Sequence, residues 1–399
     1  MTITQTPQKF SPAYNELVYV VVSTNETQPN YKYICDIYAA DGSTRLARIK
    51  RIPQPDGYGL FDLHRILENY LSYDIDASTA GFTSNSKSFY GYVIKFGEEY
   101  GSGSSGPTQY LSLVTDTKRY IYNSVFDFPD FINYSQTDWL IATSTQKKFL
   151  TNAPLSQSVR PGTNSWLYFM TDTNIVSKLV LRTYGSSGTL LSSYALSNPD
   201  TDMSIDTNRF LRVPAGPANA GSAFSTTLDS TIGSYTLHLE DGSSNVISEI
   251  FIFKINTEIT KYTWYRLHFL NKMGGFDSFD FRYVSRSKIN ITRNNYKKYT
   301  GVESGGTWSY ASDERGHSQY DTLIQETITI NSDWITDEQA AWLEELFTSP
   351  AVYLERSDRS LVAINISTNS FEIQKKANDK LINIQLDFSC AYDRFRQRG

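Results

Sequence analysis

Cysteine is nearly absent from these 399 residues, with Cys35 and Cys390 the two that occur. Each lies in a strand-like pattern, where a free thiol serves as a small hydrophobe. One bond between them stays open, but two cysteines are too few for a disulfide framework. Histidine is scarce too: four copies leave little material for a histidine-rich metal centre. No run of 18 apolar residues occurs, so no membrane-spanning helix is expected. Residues 1–11 lack the basic-then-apolar pattern of an export leader, and synthesis in the cytoplasm without a targeting signal is the expectation. A formal net charge of -5 leaves no broad nucleic-acid footprint. The exception is local: Arg394, Arg396 and Arg398 follow the last strand and read first as a solvated terminus, second as a contact for phosphate or an acidic partner.

Signatures of catalysis are missing as well. The chain has no Walker loop, GxSxG elbow, HExxH, CxxC or dinucleotide fingerprint. Asp313, Glu314 and His317 form the nearest thing to a metal cluster, but the Gly and Ser around them predict a solvated loop. Asp200, Asp202 and Asp206 resemble a calcium loop in composition only, because the turn glycine and final glutamate are missing. His64 beside Asp62, and His268 in a strand, read as structural. Glu16, Glu26 and Glu68 have no partner at a fixed offset, so nothing nominates the paired carboxylates of a glycosidase. The expectation is no catalytic residue, no metal and no cofactor.

Aromatics are plentiful, with 28 Tyr and 22 Phe. Aromatic side chains suit pleated surfaces, and Tyr also buries area in an interface at low entropic cost. The pattern predicts a mainly β, multidomain chain of antiparallel, sandwich-like units with single short helices on sheets in the first and last domains. Residues 1–10 read as a flexible arm. Strands follow at 17–22, 31–37 and 45–52, with Asp41-Gly42 as a hairpin turn, then a short helix capped by Asp62. Residues 101–107, rich in Gly and Ser, form a flexible loop before a strand at 110–114. Domain boundaries are expected at 1–125, 126–148 (an aromatic linker holding Phe126, Phe128, Phe131 and Tyr134), 149–260 and 261–399. The third stretch carries short strands at 165–170, 178–184, 190–196, 208–213, 234–239 and 247–255 without a helix, which reads as a sandwich.

The last domain is the best organised. Trp264, Arg266 and His268 alternate with Tyr265, Leu267 and Phe269, and Gly274-Gly275 turns the chain into a second strand at 279–283. Residues 297–316 are a polar excursion that reaches a neighbour or stays mobile. A strand at 324–330 precedes a helix over 335–347, where Thr336 and Gln339 hold capping-box positions. Trp342 with Leu346 and Leu343 with Phe347 give that helix one apolar stripe, and Pro350 ends it. Further strands are expected at 352–355, 361–366, 371–373 and 381–390. Of Trp166, Trp264, Trp308, Trp334 and Trp342, Trp342 belongs on the core face of the helix and Trp308 sits in the polar excursion. Trp308, Tyr310 and Tyr299 are therefore the candidate exposed contacts.

Two stretches carry a resemblance. Arg51-Ile52-Pro53 and Gly57-Tyr58-Gly59-Leu60-Phe61-Asp62-Leu63, after a Tyr-rich strand pair, are one. Phe269-Leu270-Asn271-Lys272-Met273-Gly274-Gly275-Phe276-Asp277, with Trp342 and the run from Leu346 to Leu354, is the other. Both resemble segments of virion structural proteins of tailed phages and prophages of Bacteroidetes bacteria, including crAss-like phages. The likeness spans about the first 100 and last 140 residues and leaves the middle unmatched. It implies a non-enzymatic subunit in the virion, homo-oligomeric, forming a ring at the head-to-tail connector or along the tail. The implied neighbours are the portal, other ring proteins and a tail tube or hub. The alternative is a receptor-facing decoration or adhesin whose middle domain binds glycan, and an enzyme acting on polysaccharide ranks last.

Overall fold

The structure is a computed structural model that describes residues 1–75, 81–103, 106–258, 261–368 and 383–392. It is mainly β and multidomain, with few and short helices. Two compact units are present: Met1–Glu258 with Leu270–Asp277, and Ile259–Phe269 with Ser278–Gly399. The stretches 1–125, 126–148 and 149–258 all fall in the first.

In that first unit a three-stranded sheet, ordered Thr2–Gln5, Val18–Val22, Gly59–Asp62, faces a six-stranded one. The larger sheet runs Phe10–Pro12, Arg119–Tyr122, Phe89–Tyr100, Lys32–Ala39, Arg45–Arg51, with Thr108–Thr115 also paired to Phe89–Tyr100. Alternation along the strands sends Tyr19, Val21 and Phe61 of one sheet and Tyr33, Cys35, Ile37, Tyr92, Ile94 and Phe96 of the other into a single buried cluster. The N-terminal residues are not a free arm: Thr2 to Gln5 pair with the Val18–Val22 strand, and Phe10 to Pro12 lie parallel to Tyr120 to Tyr122. Their polar composition hid this because an edge strand needs only its backbone to pair. The Asp41-Gly42 turn joins Lys32–Ala39 to Arg45–Arg51 as expected, with Gly42 at φ 65°. The helix after it is one turn, His64–Leu67, and Asp62 serves one residue earlier than a cap would, taking the His64 amide (3.3 Å) and the Leu17 amide (2.9 Å) on the same carboxylate oxygen.

The remaining part of the first unit holds a four-stranded sheet, ordered Leu140–Ile141, Trp166–Thr171, Phe210–Pro214, Thr83–Ser84, and a five-stranded one, ordered Ser156–Val159, Phe251–Ile255, Ser234–Glu240, Lys178–Tyr184, Leu190–Ser197. One correction applies: a short helix, Pro217–Ala223, interrupts the strands. Pro at its first turn presets φ and lacks only an amide that would be unpaired there. Its run of Ala, Asn, Gly and Ser carries no apolar stripe, and it went unread for that reason.

The second unit is built on a seven-stranded sheet, in the order Phe276–Phe281, Tyr265–Leu270, Val352–Glu355, Leu361–Ile366, Gln385–Cys390, His317–Asn331, Arg286–Lys297. The helix Asp337–Thr348 starts with a complete capping box: Thr336 accepts from the Gln339 amide and Gln339 from the Thr336 amide. Its stripe lies on the sheet, with the Trp342 ring 5.6 Å from Phe269 and 6.0 Å from Phe279, while Leu343 and Leu346 are fully buried. The excursion over 297–316 is not a plain loop. It is the end of a long hairpin whose legs are Arg286–Lys297 and His317–Asn331, and it folds a small hairpin of its own, Val302–Ser304 with Thr307–Ser309. The strand expected at 371–373 and the start of the one at 381–390 lie outside the described residues.

Candidate interaction surface

His268 Nδ1 meets the Ser278 hydroxyl at 2.8 Å and Nε2 meets Glu355 at 2.7 Å, a serine-histidine-carboxylate chain. Ser278, His268 and Arg266 are buried, and Arg266 bonds Asp280 at 2.8 Å and lies 3.5 Å from Glu355. Burial pulls the His268 pKa below its ordinary value, against the opposing pull of Glu355. A neutral imidazole donating to a carboxylate here locks three strands together.

The other chemical candidates disperse. Glu314 accepts the Gly301 amide, and His317 begins a strand. Asp202 closes a turn on the Ser204 amide (2.9 Å), while Asp206 turns away to Lys118 (2.9 Å) and the Tyr120 hydroxyl (2.8 Å). His64 bonds Asp62 at 2.7 Å, and Glu68 lies 3.6 Å from Arg65. Among the described residues no group of three His, Cys, Asp or Glu could hold a metal ion, and no helix is long and apolar enough to cross a membrane. Cys35 and Cys390 are free thiols.

What remains is surface, and its principal feature is the hairpin of the second unit. Twelve residues of Arg286–Lys297 pair with His317–Asn331, a ribbon about 40 Å long at 3.3 Å per residue. The neighbouring strand Gln385–Cys390 reaches only Thr327 to Asn331, so residues 291–297 and 317–324 project beyond it. Register fixes which side chains share a face. Ile330 lies across from Leu386, all but fully buried, and the half-buried Ile328 lies across from the buried Phe388. Two-residue periodicity then carries the same face outward to Ile324, with Ile291 directly opposite it and Ile289 opposite Glu326. Ile289 and Ile291 are 51% and 45% exposed. The buried face of the sheet thus runs on into solvent as an isoleucine stripe.

At the ribbon's end Tyr299 and Tyr310 are 87% and 77% exposed. Trp308 stands 6.4 Å from Tyr310 at 71° and donates from its indole to Thr300 O (3.2 Å). Gly301 makes room for that ring: its φ is 110°, and a Cβ there would sit 2.3 Å from the indole nitrogen. Tyr296 and Tyr320 pair across the ribbon at 6.2 Å. Of the three aromatic candidates of this excursion, Trp308 and Tyr310 are in contact and all three are exposed.

The candidates of residues 126–131 divide instead. Phe128, on the short helix Phe128–Ile132, is 72% exposed. Phe126 is half-buried against Tyr134 (5.1 Å) and Trp139 (5.4 Å), and Phe131 is half-buried too. Trp139 is the residue the sequence reading missed; its place ten residues beyond Pro129 gave no periodic cue. Arg394, Arg396 and Arg398 lie outside the described residues. Two more exposed apolar strands close the inventory: Thr108–Thr115, with Tyr110, Leu111 and Leu113, and Leu190–Ser197, with Leu190 and Leu191.

No family model and no curated protein matches this chain. Among solved structures, the tail of an empty GTA particle with C6 symmetry aligns over 31% of this chain and 88% of its own, at 14% identity and a TM-score of 0.19. Dimeric latent PorU from Porphyromonas gingivalis aligns over 82% of this chain and 31% of its own, at 10% identity and a TM-score of 0.20. Likenesses of that size carry no argument about fold or role.

Proposed function

We propose that this chain is a non-enzymatic structural subunit of a phage virion, assembled as a homo-oligomeric ring at the head-to-tail connector or in the tail, with portal, ring, tube or hub proteins as neighbours. The single observation behind this reading is the ribbon: an apolar face continuous with a core, extended into solvent on a two-stranded arm. Exposed apolar surface costs solubility and marks a site that something covers. A subunit that must grip its neighbour needs such an arm, whereas an enzyme needs converging polar groups. The residue-level resemblance of the first and last stretches points the same way.

The adhesin reading has the exposed aromatics of the tip in its favour. Trp308 and Tyr310 stand at 71° to one another, however, which offers an edge to insert into a partner and no shared flat platform for a sugar. The reading is tested by the solution mass and negative-stain images of the full-length protein beside the double variant Ile289→Lys, Ile291→Lys. Closed oligomers of the natural chain, reduced to 45.3 kDa monomer in the variant, support it. A natural chain that stays monomeric at every concentration overturns it.

A further inference from the structure

Arg286–Lys297 is the last strand of its sheet: it pairs with His317–Asn331 on one side and with no described strand on the other. Its free side therefore offers a row of backbone donors and acceptors to a further strand. The strand also has one charge sign. Between Asp280 and Glu303 the sequence has no acid, while Arg286, Lys288, Arg293 and Lys297 are exposed and make no ion pair among the described residues. On the adjoining strand Glu326 accepts from the Ser287 hydroxyl (2.6 Å) and Asp321 from the Asn294 side-chain amide (3.4 Å).

We infer that this edge takes an acidic, extended segment of a different protein as an eighth strand. The inference rests on the assembly reading above and names the chemistry of one neighbour. Pairing two copies of this edge would bring two sets of four cations together, so like charge disfavours a second copy as the occupant. The same lysines and arginines that oppose self-pairing attract a strand of opposite sign. Register dictates its pattern. Arg286 and Lys288 share one face, and Ile289 and Ile291 the other, so the incoming strand alternates acidic with β-branched residues along 286–291; Arg293 and Lys297 follow on the isoleucine face and call for acids there. Main-chain hydrogen bonds would supply affinity, and the alternating side chains selectivity.

The test uses the full-length protein and fluorescein-labelled ten-residue probes: alternating Glu-Val, alternating Lys-Val, Glu-Val with every second amide N-methylated, and a thymidine oligonucleotide. The Glu-Val probe is expected to bind. N-methylation removes the pairing donors and should abolish binding while the charge stays the same. The variant Arg286→Glu, Lys288→Glu should weaken Glu-Val binding by about tenfold or more and begin to bind Lys-Val. Because both side chains are exposed, the variant's melting temperature should match that of the natural chain, which separates a binding defect from misfolding. Three results would overturn the inference: no Glu-Val binding up to about millimolar probe, equal binding of the N-methylated probe, or binding of the oligonucleotide in place of the peptide. Particle mass is read in parallel. Peptide binding by a permanent monomer would keep the inference and sink the ring reading, and rings without peptide binding would do the reverse.

Discussion

Ile291 and Ile324 face each other across the ribbon, on the side of the sheet that holds Ile328 and Ile330. Ile330 is buried, Ile328 and Ile324 are half-buried, and Ile291 is exposed. A face can be buried at one end and exposed at the other in this way because strand periodicity does not end where the core does.

At Ile291 the account predicts a separation of stability from assembly. Ile291→Lys should change urea stability by about 0.5 kcal/mol or less, since that side chain is already exposed, while Ile324→Lys, at a half-buried position, should cost more. Sedimentation of the Ile291→Lys variant should nevertheless show assembly lost. A large drop in its stability would mean the stripe is buried within the subunit.

Trp342 makes the opposite case. Its ring is buried against Phe269 and Phe279, so Trp342→Ala should cost about 3–5 kcal/mol through lost transfer energy and the cavity left behind. Denaturant unfolding followed by fluorescence and circular dichroism would register it.

The helix start gives a smaller and more local effect. Thr336→Ala removes one half of the capping box and should cost about 1 kcal/mol. Amide exchange in 337–340 should quicken before that at the far end of the helix. Uniform quickening along all twelve residues would argue against a cap-specific role.

His268 sets a pH dependence with a definite sign. Its folded-state pKa lies below the ordinary 6.5 because burial disfavours the imidazolium. The unfolded chain therefore binds a proton that the folded state refuses in the window between the two values, and stability falls as pH drops below about 6.5. His268→Gln should lower stability at neutral pH by about 1–3 kcal/mol through lost buried hydrogen bonds and make the decline from pH 7 to 5 shallower. The residual slope belongs in part to His238, which burial also holds low. An unchanged slope in the variant would contradict the assignment.

Much of this was legible before any coordinates. The helix expected over 335–347 carried both a cap pair and a stripe, two independent signals that agree, and it forms over Asp337–Thr348. The Asp41-Gly42 hairpin was written in turn chemistry alone. The strand at 2–5 was not legible, because a short polar edge strand has no periodicity to betray it. The ribbon was half read. Alternation of Ile324, Ile328 and Ile330 gave one leg, but Arg286–Lys297 mixes cations, Asn and two isoleucines, and its partnership depends on contacts about 30 residues away in sequence. The candidate surface was seen as Trp308, Tyr310 and Tyr299, whereas the stripe that leads to them needed the register.

The most direct test of the ribbon's role is amide hydrogen exchange across 286–297 and 317–324, followed in the full-length protein below and above the concentration at which particles form. The account predicts that these amides slow on assembly while those of the buried strand Trp166–Thr171 keep their rate. Particles that form with ribbon exchange unchanged would contradict it.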